Sequence, residues 1–278
     1  MVKHKKLFAI LTLVCFMFTL MPVAAMAGST ATTVRTEAEL KAAIEAGGEV
    51  VLGGDITLTT GSSITIAAGK TVTLDLNNKT ISGNGLDAEG NRIPVIINKG
   101  ALTITGGTIK STGNNGGFPI LNEAGATLVV DGVTVEGAPK ADGAYPGYGI
   151  VNYGNLTVNG ATINTYHGGV ATMDGGKTII NDATVDVGQS TPTGITSWCL
   201  YTAGTGELIV NGGTYKNTAT TKNSIGGGSI CNGGSIQMVI NGGTFDMNPS
   251  AYVVDNQYSF VFIIISKKLT RFMQQESD

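Results

Sequence analysis

Residues 206–215 read GELIVNGGTY, and residues 235–245 read SIQMVINGGTF. Each stretch is a short apolar run followed by N-G-G-T and an aromatic residue, and the two threonines, Thr214 and Thr244, are 30 positions apart. A strand pattern that returns at a fixed interval of about 20 to 50 residues is typical of repeat architectures. These two copies therefore prompt a search for the same unit elsewhere in the chain.

The unit recurs along most of the chain. Looser copies place the equivalent threonine at Thr80, Thr108, Thr134, Thr162 and Thr184. Each unit also has a preceding half with one aligned polar position, which we call the anchor. The anchors are Asn98, Asn122, Asn152, Thr172, Thr202 and Asn232. The following threonine comes 10 or 12 residues later in every unit. A difference of two keeps every strand side chain on its original face, whereas a slip of one residue would reverse them.

Apolar residues form columns that recur once per unit. One column lies two residues before the first anchor, a second lies four before the threonine, and a third follows the threonine; they begin at Ile96, Ile104 and Ile109. Coils stacked about 4.8 Å apart would bury these columns as one continuous core. Glycine is frequent, with 41 of 278 residues, and only 13% of residues are charged. We therefore predict an all-β fold, a parallel β-solenoid of about seven to nine coils in one domain.

Four asparagines form a further column, three residues before the threonine: Asn159, Asn181, Asn211 and Asn241. Asparagine tolerates left-handed backbone conformations and forms hydrogen bonds at turns. Stacked asparagines also bond to one another along the stacking axis. We interpret N-G-G-T as a corner between two strands of one coil, and thus as a structural motif rather than a catalytic one.

Residues 1–27 have the pattern of a secretory signal peptide. A basic start, MVKHKK, precedes a long apolar run, and the small residues Ala25–Ala27 precede a cleavage point at Gly28. This pattern predicts a secreted or cell-surface protein with no stable membrane span after cleavage. Cleavage would remove three lysines and no acidic residue, leaving 14 basic and 20 acidic residues, a net charge of −6. That balance argues against nucleic acid as a partner.

Residues 34–46 contain the one convincing helix pattern. Thr36 and Glu39 have the spacing of a capping box, Leu40 and Ile44 share a face, and Gly47 can end the helix. The first coil of a solenoid exposes strand edges and core, so we predict that this helix caps it. A helix that binds a partner is the alternative.

A family resemblance emerges from three segments together. The start V-x-T-x-x-E-L-x-x-A-I, the stretch GKTVTLDLNNKTISG at 69–83 and the N-G-G-T-type units resemble the right-handed parallel β-helix proteins of the pectin-lyase-like superfamily. More narrowly, they resemble repeat-rich, adhesin-like surface proteins of Gram-positive bacteria. The resemblance covers about residues 34–255 and implies a single-stranded right-handed parallel β-helix, and we predict this β-helix domain over 28–255.

Residues 256–278 depart from the repeat, and no glycine follows Gly243. This tail contains the apolar run FVFIII. It is either a terminal strand that caps the last coil or the product of a frameshifted or truncated gene.

The resemblance implies a possible polysaccharide lyase or glycoside hydrolase, which requires clustered acids and a base. The repeat region contains one arginine, Arg92, and no pair of adjacent aspartates. His167, the one histidine after the signal peptide, is the best catalytic candidate, near Tyr166 and with Asp174 as a further possible neighbour. No cluster has metal-ligand spacing, so we expect no metal and no cofactor.

A binding surface is the favoured interpretation. The segments between the threonine and the next unit vary most in length, and they should project from one side of the solenoid. Phe118, Tyr148 and Trp198 each lie four residues before an anchor, so they should stack in one column beside these loops. Strand parity points this column inward, so core packing and ligand contact both stay open. Other candidate contacts are Tyr145, Tyr166 and Tyr201.

Cys199 and Cys231 should lie on neighbouring coils, offset by two residues. That offset puts their Cα atoms roughly 8 Å apart, beyond the reach of a disulfide. We therefore predict two free thiols, with Cys199 at the loop edge and Cys231 packed against the coil.

These observations predict a non-catalytic β-helix that displays loops for binding a polysaccharide or a host glycoprotein. The alternatives are a polysaccharide-degrading enzyme and a pure structural spacer.

Overall fold

The computed structural model describes residues 31–113, 117–138, 147–188, 197–217, 228–232, 237–247, 254–256 and 263–264. For residues 228–232, 237, 246–247, 254–256 and 263–264 it describes the backbone alone. The predicted signal peptide, the ligand candidate Tyr145 and nearly all of the tail therefore lie outside the described residues. Among the residues that are described, no helix is long and apolar enough to cross a membrane.

One sheet, the front sheet, takes one strand from each coil. Its strands are all parallel and stack in the order of the chain. They are β4 (Ile64–Ile66), β7 (Ile96–Asn98), β10 (Ile120–Asn122), β13 (Tyr148–Asn152), β15 (Gly168–Thr172), β17 (Trp198–Thr202), β20 (Gly228–Asn232) and β23 (Val254–Asn256).

A second sheet of 16 strands consists of two parallel ladders. The middle ladder contains β1 (Thr32–Val34), β2 (Gly48–Leu52), β5 (Thr71–Asp75), β8 (Ala101–Thr105), β11 (Thr127–Asp131), β18 (Glu207–Val210), β21 (Gln237–Ile240) and β24 (Ile263–Ile264). The third ladder contains β3 (Ile56–Thr57), β6 (Thr80–Gly83), β9 (Thr108–Ser111), β12 (Thr134–Glu136), β19 (Thr214–Asn217) and β22 (Thr244–Met247). Two long strands, β14 (Asn155–Thr165) and β16 (Lys177–Val187), run through both ladders.

The register confirms the repeat alignment. All seven threonines pair in one unbroken column from Thr80 to Thr244. The anchors of the front sheet pair in the same way, from Asn98 to Asn232. The chain is therefore a parallel β-solenoid, as predicted. The full repeat accounts for about six turns, slightly fewer than the seven to nine coils predicted, because looser or partial coils occupy the two ends.

The three apolar columns form the core. Every described side chain in the columns that begin at Ile96 and Ile104 is at most 1% exposed, and the column from Ile109 is fully buried up to Tyr215. Each such aliphatic side chain contributes about 1.5–3 kcal/mol to folding through burial. Since these contacts repeat from coil to coil, stability is distributed along the solenoid.

A second polar column lies inside the solenoid, and it consists of the asparagine anchors of the repeat. Asn98, Asn122 and Asn152 are fully buried. Asn98 Nδ2 donates to Asn122 Oδ1 at 2.8 Å, and Asn122 Nδ2 donates to Asn152 Oδ1 at 2.7 Å. We call this set the interior asparagine ladder. It continues through Thr178, whose hydroxyl accepts from Asn152 Nδ2 at 2.9 Å.

The predicted corner column also forms a ladder. Asn181, Asn211 and Asn241 each donate through Nδ2 to the Oδ1 of the preceding asparagine in the column at 2.8 Å, starting from Asn159. The left-handed backbone, however, belongs to the following glycines, such as Gly160 with φ 58° and Gly213 with φ 112°. In β14 and β16 the corner is an irregularity within one continuous strand rather than a break.

The capping helix is confirmed, with a later start than predicted. The helix α1 spans Glu37–Ala46, and Thr36 and Glu39 form the capping box. Leu40 and Ile44 are buried against the first coils, and the helix ends at Gly47, whose φ is 84°. The preceding residues instead form strand β1, which pairs with β2.

The predicted cysteine register is confirmed, but the environment predicted for Cys199 is wrong. Leu200 pairs with Ile230 and Tyr201 pairs with Cys231, which leaves the two cysteines offset by two residues. Cys199 is fully buried, with Sγ 3.2 Å from the carbonyl oxygen of Lys216. It faces the core rather than the loop edge because alternation is interrupted at this position, where Cys199 and Leu200 are both buried.

Glu37 connects α1 to the loop between β3 and β4, and its ionisation makes the free energy of unfolding depend on pH. Its carboxylate pairs with Lys41 Nζ at 2.8 Å, accepts from the Ser62 hydroxyl and accepts from the Thr59 amide at 2.7 Å. These contacts, led by the one with Lys41, lower the pKa of Glu37 from 4.5 to about 2. A carboxylate with a depressed folded-state pKa stabilises the fold above pH 4.5, and this contribution disappears as the pH falls towards 2.

We therefore expect Glu37→Gln to flatten the acid dependence of stability. The wild type should lose about 1 kcal/mol more than the variant between pH 5 and pH 2, allowing for partial solvent screening. Urea unfolding followed by circular dichroism at several pH values measures this difference. Glu45→Gln, on an exposed position of the same helix, should follow the wild type. Equal acid slopes for wild type and Glu37→Gln would contradict the prediction.

Candidate functional site

Four aromatic side chains pack together near the N-terminal ends of three neighbouring strands of the front sheet. Tyr148 begins β13, Trp198 begins β17, Tyr201 lies within β17, and His167 immediately precedes β15. Ring centroids are 5.1 Å apart for Tyr148 and His167, 5.5 Å for His167 and Trp198, 5.2 Å for Trp198 and Tyr201, and 5.7 Å for Tyr148 and Tyr201. Each ring therefore contacts two others. We call this closed set of four rings the aromatic cluster.

The cluster lies on the outer face of the front sheet, so the inward direction that parity suggested for Tyr148 and Trp198 is wrong. Both side chains are partly exposed, and both contact Tyr201, which lies between the buried residues Leu200 and Thr202. The reason is local. Two consecutive residues after each aromatic are buried, so simple alternation does not hold across the start of the strand.

A glycine in the intervening strand makes room for the cluster. Gly168 pairs with both Tyr148 and Trp198, which places it between them in the column. A Cβ atom at Gly168 would lie 2.1 Å from Tyr148 Cδ1. The tyrosine ring therefore lies across the backbone of the next strand, and any larger residue at Gly168 would displace it.

His167 lies between two of the rings of the cluster. It is 6% exposed and contacts Tyr148 and Trp198 in edge-on geometry. Its backbone oxygen accepts from the amide of Trp198 at 2.9 Å, which joins the two coils at this point. The Nε1 atom of Trp198 is buried and has no hydrogen-bond partner among the described residues.

The other catalytic candidates lie elsewhere. Asp174 follows β15 whereas His167 precedes it, so about 16 Å of strand separates them. Asp174 Oδ1 accepts from the amide of Thr205 at 3.0 Å, which links two successive turns. Arg92 lies before β7, three strand spacings or about 14 Å from the level of His167. Its backbone forms an isolated antiparallel β-bridge with Leu86, and burial lowers the pKa of the Arg92 side chain.

The remaining ligand candidates do not join the cluster. Phe118 is partly exposed and makes no ring contact with the described aromatic residues. Tyr166 is also partly exposed, and it lines a separate pocket on the third ladder. This pocket was not predicted from the sequence, although the polar residues two positions after the threonines, Lys110, Glu136 and Asn164, were a signal for it.

No group of three or more histidine, cysteine, aspartate or glutamate side chains in the described part of the chain could hold a metal ion. No protein-family model, no curated protein and no solved structure matches this chain.

Proposed function

We propose that this protein is a secreted or cell-surface β-solenoid that binds glycans without transforming them. The ligand would be a polysaccharide or the glycan of a host glycoprotein. The observation that carries this proposal is the aromatic cluster, in which three partly exposed rings and a buried histidine pack together on the outer face of the front sheet.

The chemistry of the cluster suits a sugar. Pyranose rings have an apolar C–H face and a periphery of hydroxyl groups, and a tyrosine or tryptophan side chain offers an apolar face with a polar tip. Tyr148, Trp198 and Tyr201 are packed against one another, which limits the rotamer freedom that binding would otherwise cost. The strands of the solenoid hold all three in place.

The positions of the candidate catalytic residues support a role in binding rather than catalysis. His167 is enclosed by rings, and Asp174 and Arg92 are distant from it, so the candidate acid–base residues do not form a constellation. The same fold class would suit a member of the pectin-lyase-like superfamily among the repeat-rich surface proteins of Gram-positive bacteria, and we propose that relationship together with secretion through residues 1–27.

Trp198 is the one tryptophan of the chain, so its fluorescence reports directly on the cluster. We expect a glycan identified on an array to change this fluorescence on titration. Trp198→Ala and Tyr201→Ala should each weaken binding at least tenfold in calorimetry, because each removes a large, pre-ordered contact. Tyr153→Ala, at an exposed tyrosine of the chain, is the matched control and should bind normally.

Two results would count against this proposal. One is a set of bound glycans whose affinity does not depend on Trp198 or Tyr201. The other is release of unsaturated uronates or reducing ends from pectin, alginate or xylan that His167→Ala abolishes, which would identify an enzyme.

A further inference from the structure

A pocket of about 330 Å³ lies on the third ladder, apart from the aromatic cluster. This volume is at the lower end of the range of small-molecule sites, about 300–1,000 Å³. The pocket is lined by polar side chains of three neighbouring strands and by Tyr166, and we call it the Tyr166 pocket.

The three polar side chains are in register across three strands. Lys110 of β9 pairs with Glu136 of β12, and Glu136 pairs with Asn164 of β14. They therefore span two strand spacings, about 10 Å. Lys110 Nζ lies 2.7 Å from Glu136 Oε2, so the two charges offset each other. The amide of Asn164 adds both donors and an acceptor.

The remaining lining provides shape and an apolar surface. Gly137 follows Glu136 and has no side chain to fill the space next to Thr165. Tyr166 contributes an aromatic side chain beside the polar row. Ser111, also in the lining, is 1% exposed, and its hydroxyl has no hydrogen-bond partner among the described residues. This hydroxyl, however, lies beside Gly85 and Gly117 on the inner side of β9, so it does not contribute to the polar row.

We propose that the Tyr166 pocket is a second saccharide contact and that it binds a neutral sugar ring. An aromatic face beside a row of mixed donors and acceptors matches a ring with one apolar face and several hydroxyl groups. A uronate is disfavoured because its carboxylate would meet Glu136, while Lys110 is already paired. This inference rests on the proposed function, since it concerns the same class of ligand.

The pocket and the aromatic cluster are adjacent along the chain. Tyr166 and His167 form the two-residue connection between β14 and β15; Tyr166 lines the pocket and His167 packs in the cluster. In the neighbouring coils the corresponding connections have eleven residues, 137–147, and ten, 188–197. This two-residue connection, the shortest among the coils described, thus supplies one residue to the Tyr166 pocket and one to the aromatic cluster.

Calorimetry on the full chain tests the pocket separately from the cluster. The probes are cellohexaose, mannohexaose and chitohexaose as neutral ligands and hexagalacturonate as the charged one. We expect the tightest neutral hexaose to bind at least tenfold more weakly to Tyr166→Ala and about fivefold more weakly to Glu136→Gln. Tyr166→Phe keeps the ring and should stay within threefold of the wild type. Thermal unfolding checks that every variant remains folded.

The outcomes separate the two proposals. Unchanged affinity in Tyr166→Ala together with loss of binding in Trp198→Ala would overturn the pocket and leave the cluster standing. Tighter, Tyr166-dependent binding of hexagalacturonate would overturn the neutral class of ligand. If the wild type binds none of the four probes, the pocket proposal is overturned, and the glycan array then decides the proposed function by itself.

Discussion

Replacing Tyr215 with alanine will lower the free energy of unfolding by about 4 kcal/mol, because truncation of a buried aromatic leaves a cavity in the core. Tyr215 is fully buried and stacks on Phe245 with ring centroids 4.7 Å apart and planes 13° apart. Its hydroxyl donates to the carbonyl oxygen of Gly212 at 2.7 Å. Burial raises the pKa of Tyr215, so the hydroxyl keeps its proton and continues to donate.

Urea unfolding followed by circular dichroism measures this loss. Tyr215→Phe should cost only about 1 kcal/mol, because it keeps the stacking and removes one hydrogen bond. Tyr153→Ala, at a tyrosine that is 36% exposed, should change stability by less than about 0.5 kcal/mol. A Tyr215→Ala protein as stable as Tyr153→Ala would show that this column does not form the core.

The second large effect distinguishes the two asparagine ladders. Asn122→Ala should destabilise the protein by about 3 kcal/mol, because buried amide groups of Asn98 and Asn152 lose a partner at about 1–3 kcal/mol each. Asn211→Ala breaks the same number of ladder bonds in the corner column, with Asn181 and Asn241. Those amides are exposed, so water replaces the lost bonds and the cost should stay below about 1 kcal/mol.

The same unfolding experiment compares the two variants. Both substitutions break two ladder bonds in the middle of a ladder. Asn122 Nδ2 also donates to the carbonyl oxygen of Asn155 at 3.1 Å, so the difference between the two variants combines burial with this one further bond. Equal losses would mean that ladder formation itself, and not the absence of water, determines the contribution of these side chains.

Much of the fold was predictable because each coil of the solenoid has the same packing requirements at the same aligned positions. A column such as Ile96, Ile120 and Ile150 is buried at each of the five levels whose side chain the structure describes, so every one of these copies predicts the same position in the core. The capping box at Thr36 was predictable for another reason, since it depends only on contacts within one helical turn. The start of that helix was placed too early because residues 32–34 pair with a strand of the next coil.

The interior asparagine ladder was not recognised as such. The anchors Asn98, Asn122 and Asn152 were visible in the sequence, and yet their polarity said nothing about burial. Alternation with Ile96, Ile120 and Ile150 placed both sets on one face, and only the closed coil showed that this face has no contact with solvent. Buried amides are tolerated there because each finds a partner one coil away.

The candidate site was predicted in part. Tyr148, Trp198 and Tyr201 were named from the sequence, but a strict two-residue period put the first two in the core. The period fails where Gly149 and Ile150, or Cys199 and Leu200, are both buried. His167 lies in a connection between two strands, as expected, but its packing between two rings was not predicted.

By itself, the sequence determined the repeat, its register and the identity of the core columns, because each of these depends on spacing along the chain and is restated in every coil. The tertiary structure alone decided which residues from different coils meet. The aromatic cluster requires Gly168 to leave room between Tyr148 and Trp198, and the Tyr166 pocket requires three strands in lateral register. Such sites arise once, from deviations in a periodic pattern, so periodicity cannot predict them.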